Sequence, residues 1–90
     1  MSEKRQELYY GAAPAEAAAV LERALAAHPG NPNVLYNLAC CESLSGRTND
    51  ALDHLRHAVE MSEEFRASAQ ADADLDPIRD EPAFKQLIND

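Results

Sequence analysis

Tryptophan is missing from the 90-residue chain, and two Phe and three Tyr supply all of its aromatic bulk. A chain of this length buries only about 60–65% of its unfolded surface. Its core must be assembled mainly from Ala, Leu, Val and Ile. Side chains this small suit closely packed helices and fill sheets poorly. Basic residues are also scarce: eight Lys and Arg stand against 16 Asp and Glu, a formal net charge of −8. Phosphate backbones are held by clustered Lys and Arg, so the balance argues against a nucleic-acid partner. No apolar run reaches the length of a membrane span or a signal-peptide core, and the N-terminus is polar. The expectation is a freely diffusing cytoplasmic protein with no membrane partner. Cysteine is limited to Cys40 and Cys41. Neighbours on one helix point about 100° apart, which disfavours a bond between them and fits reduced thiols.

What the chain does have is helical periodicity. Between Asn31 and Glu64, Val34, Leu35, Leu38, Ala39 and Cys41 share one helix face, and Ala51, Leu52, Leu55, Ala58 and Val59 share another. Asn31 followed by Pro32 is a start signal, a capping side chain and then a proline where no amide hydrogen is missed. Gly46 lies between the two patterns, where a helix ends and the backbone needs positive φ. The stretch reads as a helical hairpin.

The flanks extend it. Pro14 opens a helix that runs to about Ala27 and is stopped by His28-Pro29-Gly30. Its residues Ala17, Ala18, Leu21, Ala24 and Leu25 recur as Ala51, Leu52, Leu55, Ala58 and Val59, each 34 positions later. The same shift sets polar Lys4 and Arg5 where Leu38 and Ala39 lie, so the helix expected before Pro14 is degenerate or partial. After Met61 the pattern continues through Phe65 and Ala69, as a third hairpin or as one long helix bent near Ser62. Asp74 to Arg79 is expected to make one turn around Pro77. Asp80 is expected to cap a last helix with Phe84, Leu87 and Ile88 on one face.

Tyr36-Asn37-Leu38-Ala39, Ala51-Leu52, Ala58 and the 34-residue period together resemble the tetratricopeptide repeat (TPR) family in its bacterial form. The small residues at Ala39, Ala51 and Ala58 are where paired helices approach closely. The sequence departs from the family pattern at Glu42, where an aromatic is usual, and at Glu63, where Pro is usual. The tail resembles the acidic segment that closes many bacterial TPR arrays and would cover the last hairpin. The resemblance implies an all-α fold of hairpins stacked as a short right-handed solenoid with a C-terminal capping helix. One domain would fill 1–90, with a degenerate first repeat in 1–30, an intact repeat in 31–64, and a third helix plus capping tail in 65–90. It also implies a non-enzymatic protein–protein interaction or scaffold role through a concave face. The family's groove positions fall on Asn33, Tyr36, Cys40 and Ser43, with Asn37 beside them, and the partner would be a protein or peptide. The alternative is an accessory C-terminal module of a larger enzyme or regulatory protein, packing on a domain in cis.

Other residue sets point to chemistry only weakly. His54 and His57 have a chelating spacing but no third ligand at a matching distance, so they read as rim residues. Asp72, Asp74 and Asp76 alternate like a calcium loop, yet Pro77 takes the place of the required glycine. Cys40 and Cys41 lack a recognisable base, and one is expected to pack between helices while the other faces the groove. No catalytic residue, metal or cofactor is assigned. Tyr9 and Tyr10 either shield the alanine-rich helix or meet another domain or chain. The face around Leu21 is expected to be partly open, which allows a weak homodimer.

Overall fold

The computed structural model describes residues 13–89, which form five α-helices and one 3-10 helix. They are α1 (Pro14–Ala27), α2 (Pro32–Leu44), α3 (Thr48–Met61), α4 (Glu64–Ala71), the 3-10 helix (Ala73–Ile78) and α5 (Pro82–Asn89). Lys4, Arg5, Tyr9 and Tyr10, and with them the degenerate first helix, lie outside the described residues.

Local chemistry accounts for the boundaries. Asn31 accepts a hydrogen bond from the Asn33 N–H at 3.0 Å, and Pro32 fills the first helical position of α2. At the other end Gly46 has φ 82, and its N–H donates to the Ser43 carbonyl at 3.3 Å while the Arg47 N–H donates to Glu42 at 2.8 Å. That pair of bonds satisfies two end-of-helix carbonyls and requires a left-handed residue, which glycine supplies without strain. Ser62 is extended at φ −148 and ψ 109, so α3 and α4 are separate helices and not one bent rod. The turn expected around Pro77 is a six-residue 3-10 helix, started by Asp72, whose side chain accepts from the Asp74 N–H at 3.0 Å. Asp80 does not cap α5. The Glu81 carbonyl accepts the first bond of that helix, from Lys85 at 3.1 Å, because Pro82 occupies the first helical position.

The helices pack in sequence: α1 on α2, α2 on α3, α3 on α4, and α4 on α5. The 3-10 helix lies against α2 and α3. One core joins Leu35, Tyr36, Ala39 and Cys40 of α2 to Ala51, Leu55, Ala58 and Val59 of α3. Phe65 and Ala69 of α4 and Leu75, Ile78 and Phe84 of the tail complete it. A smaller cluster joins α1 to α2 through Ala18, Leu38 and Cys41, with Ala17, Leu21 and Leu25 half-buried against it. Ala39, Ala51 and Ala58 are fully buried, as residues at close helix crossings must be. Leu75 and Ile78 are also fully buried, so the tail belongs to the core. No helix among the described residues is long and apolar enough to cross a membrane.

Candidate partner-binding face

The face of α2 that carries Asn33, Tyr36, Asn37, Cys40 and Ser43 is divided by the chain's own tail. Asp72, at the start of the 3-10 helix, reaches α2 with one carboxylate oxygen. The Tyr36 hydroxyl donates to Oδ2 at 2.7 Å, and the Cys40 thiol donates to the same atom at 3.8 Å. Tyr36 also stacks on Phe65 of α4, with ring centroids 4.8 Å apart and planes 21° apart. Tyr36 and Cys40 are thus buried floor beneath the tail. Ser43 is buried as well, and its Oγ has no hydrogen-bond partner.

Asn33 and Asn37 are placed differently. Asn33 is exposed at the first turn of α2, and Asn37, four residues on, is half-buried. Neither side chain makes a hydrogen bond among the described residues. Each amide therefore keeps two donors and an acceptor for another molecule. Residues four apart lie on one side of a helix about 6 Å apart along its axis, close to the spacing of alternate residues in an extended chain.

Electrostatics argue against nucleophilic chemistry at the thiols. Burial, reinforced by the nearby Asp72 and Asp74 carboxylates, pushes the Cys40 thiol far above its ordinary value. Burial and the charges of Asp74 and Glu42 push Cys41 up to about 11. Both stay protonated near neutral pH, and a protonated thiol is a poor nucleophile and a poor ligand. The Tyr36 hydroxyl is raised by burial first and by its bond to Asp72 second. Cys40, Asp72 and Asp74 bring one donor atom each within 4.8 Å of one another, but both Asp72 oxygens already accept hydrogen bonds from the protein. Both cysteines are buried: one packs between helices as expected, and the one on the groove side is covered by the tail. Cys41 turns to the α1 side and Cys40 lies beneath Asp72.

Two polar groups escape a reading by periodicity. Glu42 is fully buried on α2, and His54 Nδ1 of α3 lies 2.7 Å from its Oε1. Its Oε2 has no hydrogen bond and sits 3.7 Å from Arg47, which in turn pairs with Glu22 of α1 at 2.9 Å and with Asp50 at 3.1 Å. Burial raises the Glu42 carboxyl, while His54 and Arg47 oppose the rise. His54 is thus a structural partner and not a free rim residue. The signal was in the sequence, as a carboxylate in place of an aromatic on the inward side of α2. Arg79 is the second group. It donates to the Ala69 and Gln70 carbonyls at 3.2 and 3.1 Å and to Asp72 at 2.7 Å. Its Nε meets Asp76 at 2.9 Å, and its guanidinium lies 5.2 Å from the centre of the Phe84 ring.

A family model described as a tetratricopeptide repeat matches residues 12–71. No curated protein and no solved structure matches the chain.

Proposed function

Because the chain belongs to the tetratricopeptide repeat family, we propose that it is a non-enzymatic protein-interaction module that holds an extended peptide along the open part of α2. Asn33 and Asn37 bind the peptide main chain. Tyr36 and Cys40 serve the site from beneath, fixing the helix against the tail through Asp72, and Ser43 lies buried on the same face. The observation that carries this reading is the pair of unengaged amides, one turn apart on the exposed edge of an otherwise closed face. Main-chain recognition by side-chain amides is sequence-tolerant, because every residue offers an N–H and a carbonyl. The net charge of −8 favours a neutral or basic peptide and disfavours an acidic one.

The test begins with peptides selected against the intact protein from a random display library. Asn37→Ala should weaken the best of them about tenfold, the loss of roughly 1.4 kcal/mol that one or two hydrogen bonds supply. Asn33→Ala should do the same to a smaller extent, since its site is more exposed. Unchanged affinity in both variants, with the fold intact by circular dichroism, would remove this surface from consideration.

A further inference from the structure

The 34-residue internal repeat allows one helix to be compared with another in the same chain. In α3, Ala51, Leu55, Ala58 and Val59 are all buried, enclosed by α2, α4, the 3-10 helix and α5. Their counterparts in α1 are Ala17, Leu21, Ala24 and Leu25, and all four are only half-buried; among the described residues α1 packs chiefly on α2. On its outer side α1 carries Glu16, Val20, Arg23 and Ala27, all exposed, at the i, i+4, i+7 and i+11 spacing of a single stripe. Val20 is 56% exposed, the most exposed large apolar side chain among the described residues. Arg23 has no ion-pair or hydrogen-bond partner among them.

This stripe is complementary to itself. Reversing a helix about a twofold axis near position 20 brings Glu16 of one helix opposite Arg23 of the other, and does so twice. We infer that the outer stripe of α1 joins two copies of this chain as an antiparallel helix pair, with Val20 against Val20 at the centre and a Glu16–Arg23 pair on each side. Ala19 flanks the contact and Ala27 ends it, and side chains this small let the helix axes approach to about 8 Å. A twofold contact of this kind closes on itself and does not propagate into fibres. Area sets its strength. A 14-residue helix is about 21 Å long and a stripe about 10 Å wide, so about 200 Å² is covered per copy. That is roughly a quarter of the ~800 Å² per partner of a stable complex, and the net charge of −8 on each copy opposes the encounter, so the dimer is weak and populates only at high protein concentration. The contact stands on α1 and is independent of the peptide surface on α2.

Sedimentation equilibrium of the intact protein across about 10 µM to 1 mM measures it. The wild type should show monomer and dimer in exchange. Val20→Glu should be monomeric throughout, and because Val20 is exposed the substitution leaves the fold intact. Glu16→Arg and Arg23→Glu, each of which sets like charges against each other across the axis, should each abolish the dimer. The double exchange, Glu16→Arg with Arg23→Glu, should restore it to within a few-fold of wild type. A wild type that stays monomeric over the whole range overturns the inference. So does a dimer indifferent to Val20→Glu, or a double exchange that fails to recover what the single exchanges lose.

Discussion

Arg79→Ala should be strongly destabilising, because one guanidinium ties the end of α4 to the tail. The guanidinium donates to three carbonyls, Ala69 and Gln70 in the last turn of α4 and Asp72 at the bend into the 3-10 helix. Those carbonyls belong to a helix end, where no intrahelical donor exists. It also pairs with Asp76 and covers Phe84. A hydrogen bond from a charged donor contributes about 1.5–3 kcal/mol. The three share one side chain, are not additive, and are discounted because the Arg79 side chain is 32% exposed. The net loss is therefore about 2–3 kcal/mol, which for a domain of this size lowers the melting temperature by about 10–20 °C. Arg79→Lys should recover less than half of it, since one ammonium group cannot span carbonyls on both sides of a bend. Thermal melting followed by far-UV circular dichroism reads both variants. A melting temperature for Arg79→Ala within about 2 °C of wild type would show that the tail is held by apolar burial alone.

Other substitutions probe the remaining contacts. Ala58→Arg sets a charged side chain into a fully buried position at the α2–α3 crossing and should cost more than about 3 kcal/mol in denaturant unfolding, while Arg56→Ala, on the exposed side of α3, should cost under about 0.5 kcal/mol. Tyr36→Phe removes the hydroxyl bonded to Asp72 and should cost about 1 kcal/mol, and the loss should shrink sharply when Asp72→Ala is already present. Glu42 gives a pH signature. Its folded pKa is raised, so its contribution to stability is fully present below the unfolded value of 4.5 and is lost as pH rises through the folded pKa. Glu42→Gln removes that dependence, so its stability relative to wild type should improve on going from pH 4.5 upward; a difference that is flat or falls over the same range would refute the assignment.

How much of this was legible in the sequence depends on how far apart the interacting residues lie. Helix limits follow from neighbours. Pro14, Asn31-Pro32, His28-Pro29-Gly30 and Gly46 each act within a turn, and each marks the boundary read from it. The buried faces of α2 and α3 follow from periodicity, because Leu35, Leu38, Ala51, Leu55 and Ala58 repeat at helical spacing. The covering of Tyr36 and Cys40 was not legible, since Asp72 lies 36 and 32 residues from them and nothing local couples the two segments. Glu42 and His54 are each surface types in isolation, and only the α2–α3 crossing makes them partners. The displaced cap of α5 was available in principle. The rule that sets Pro14 and Pro32 at the first helical position also applies to Pro82, and it makes Glu81 the residue before the helix.

The open edge of α2 should hold a protein partner while the tail stays seated on the rest of that face. Titration of a library-selected peptide into the isotope-labelled protein, followed by amide and side-chain NH₂ resonances, measures this directly. The largest shifts should fall on the Asn33 and Asn37 side chains and the adjoining turns of α2, with the Leu75 and Ile78 amides keeping their positions and their slow hydrogen exchange. Shifts centred on the outer face of α3, or loss of exchange protection at Leu75 and Ile78 on binding, would contradict it.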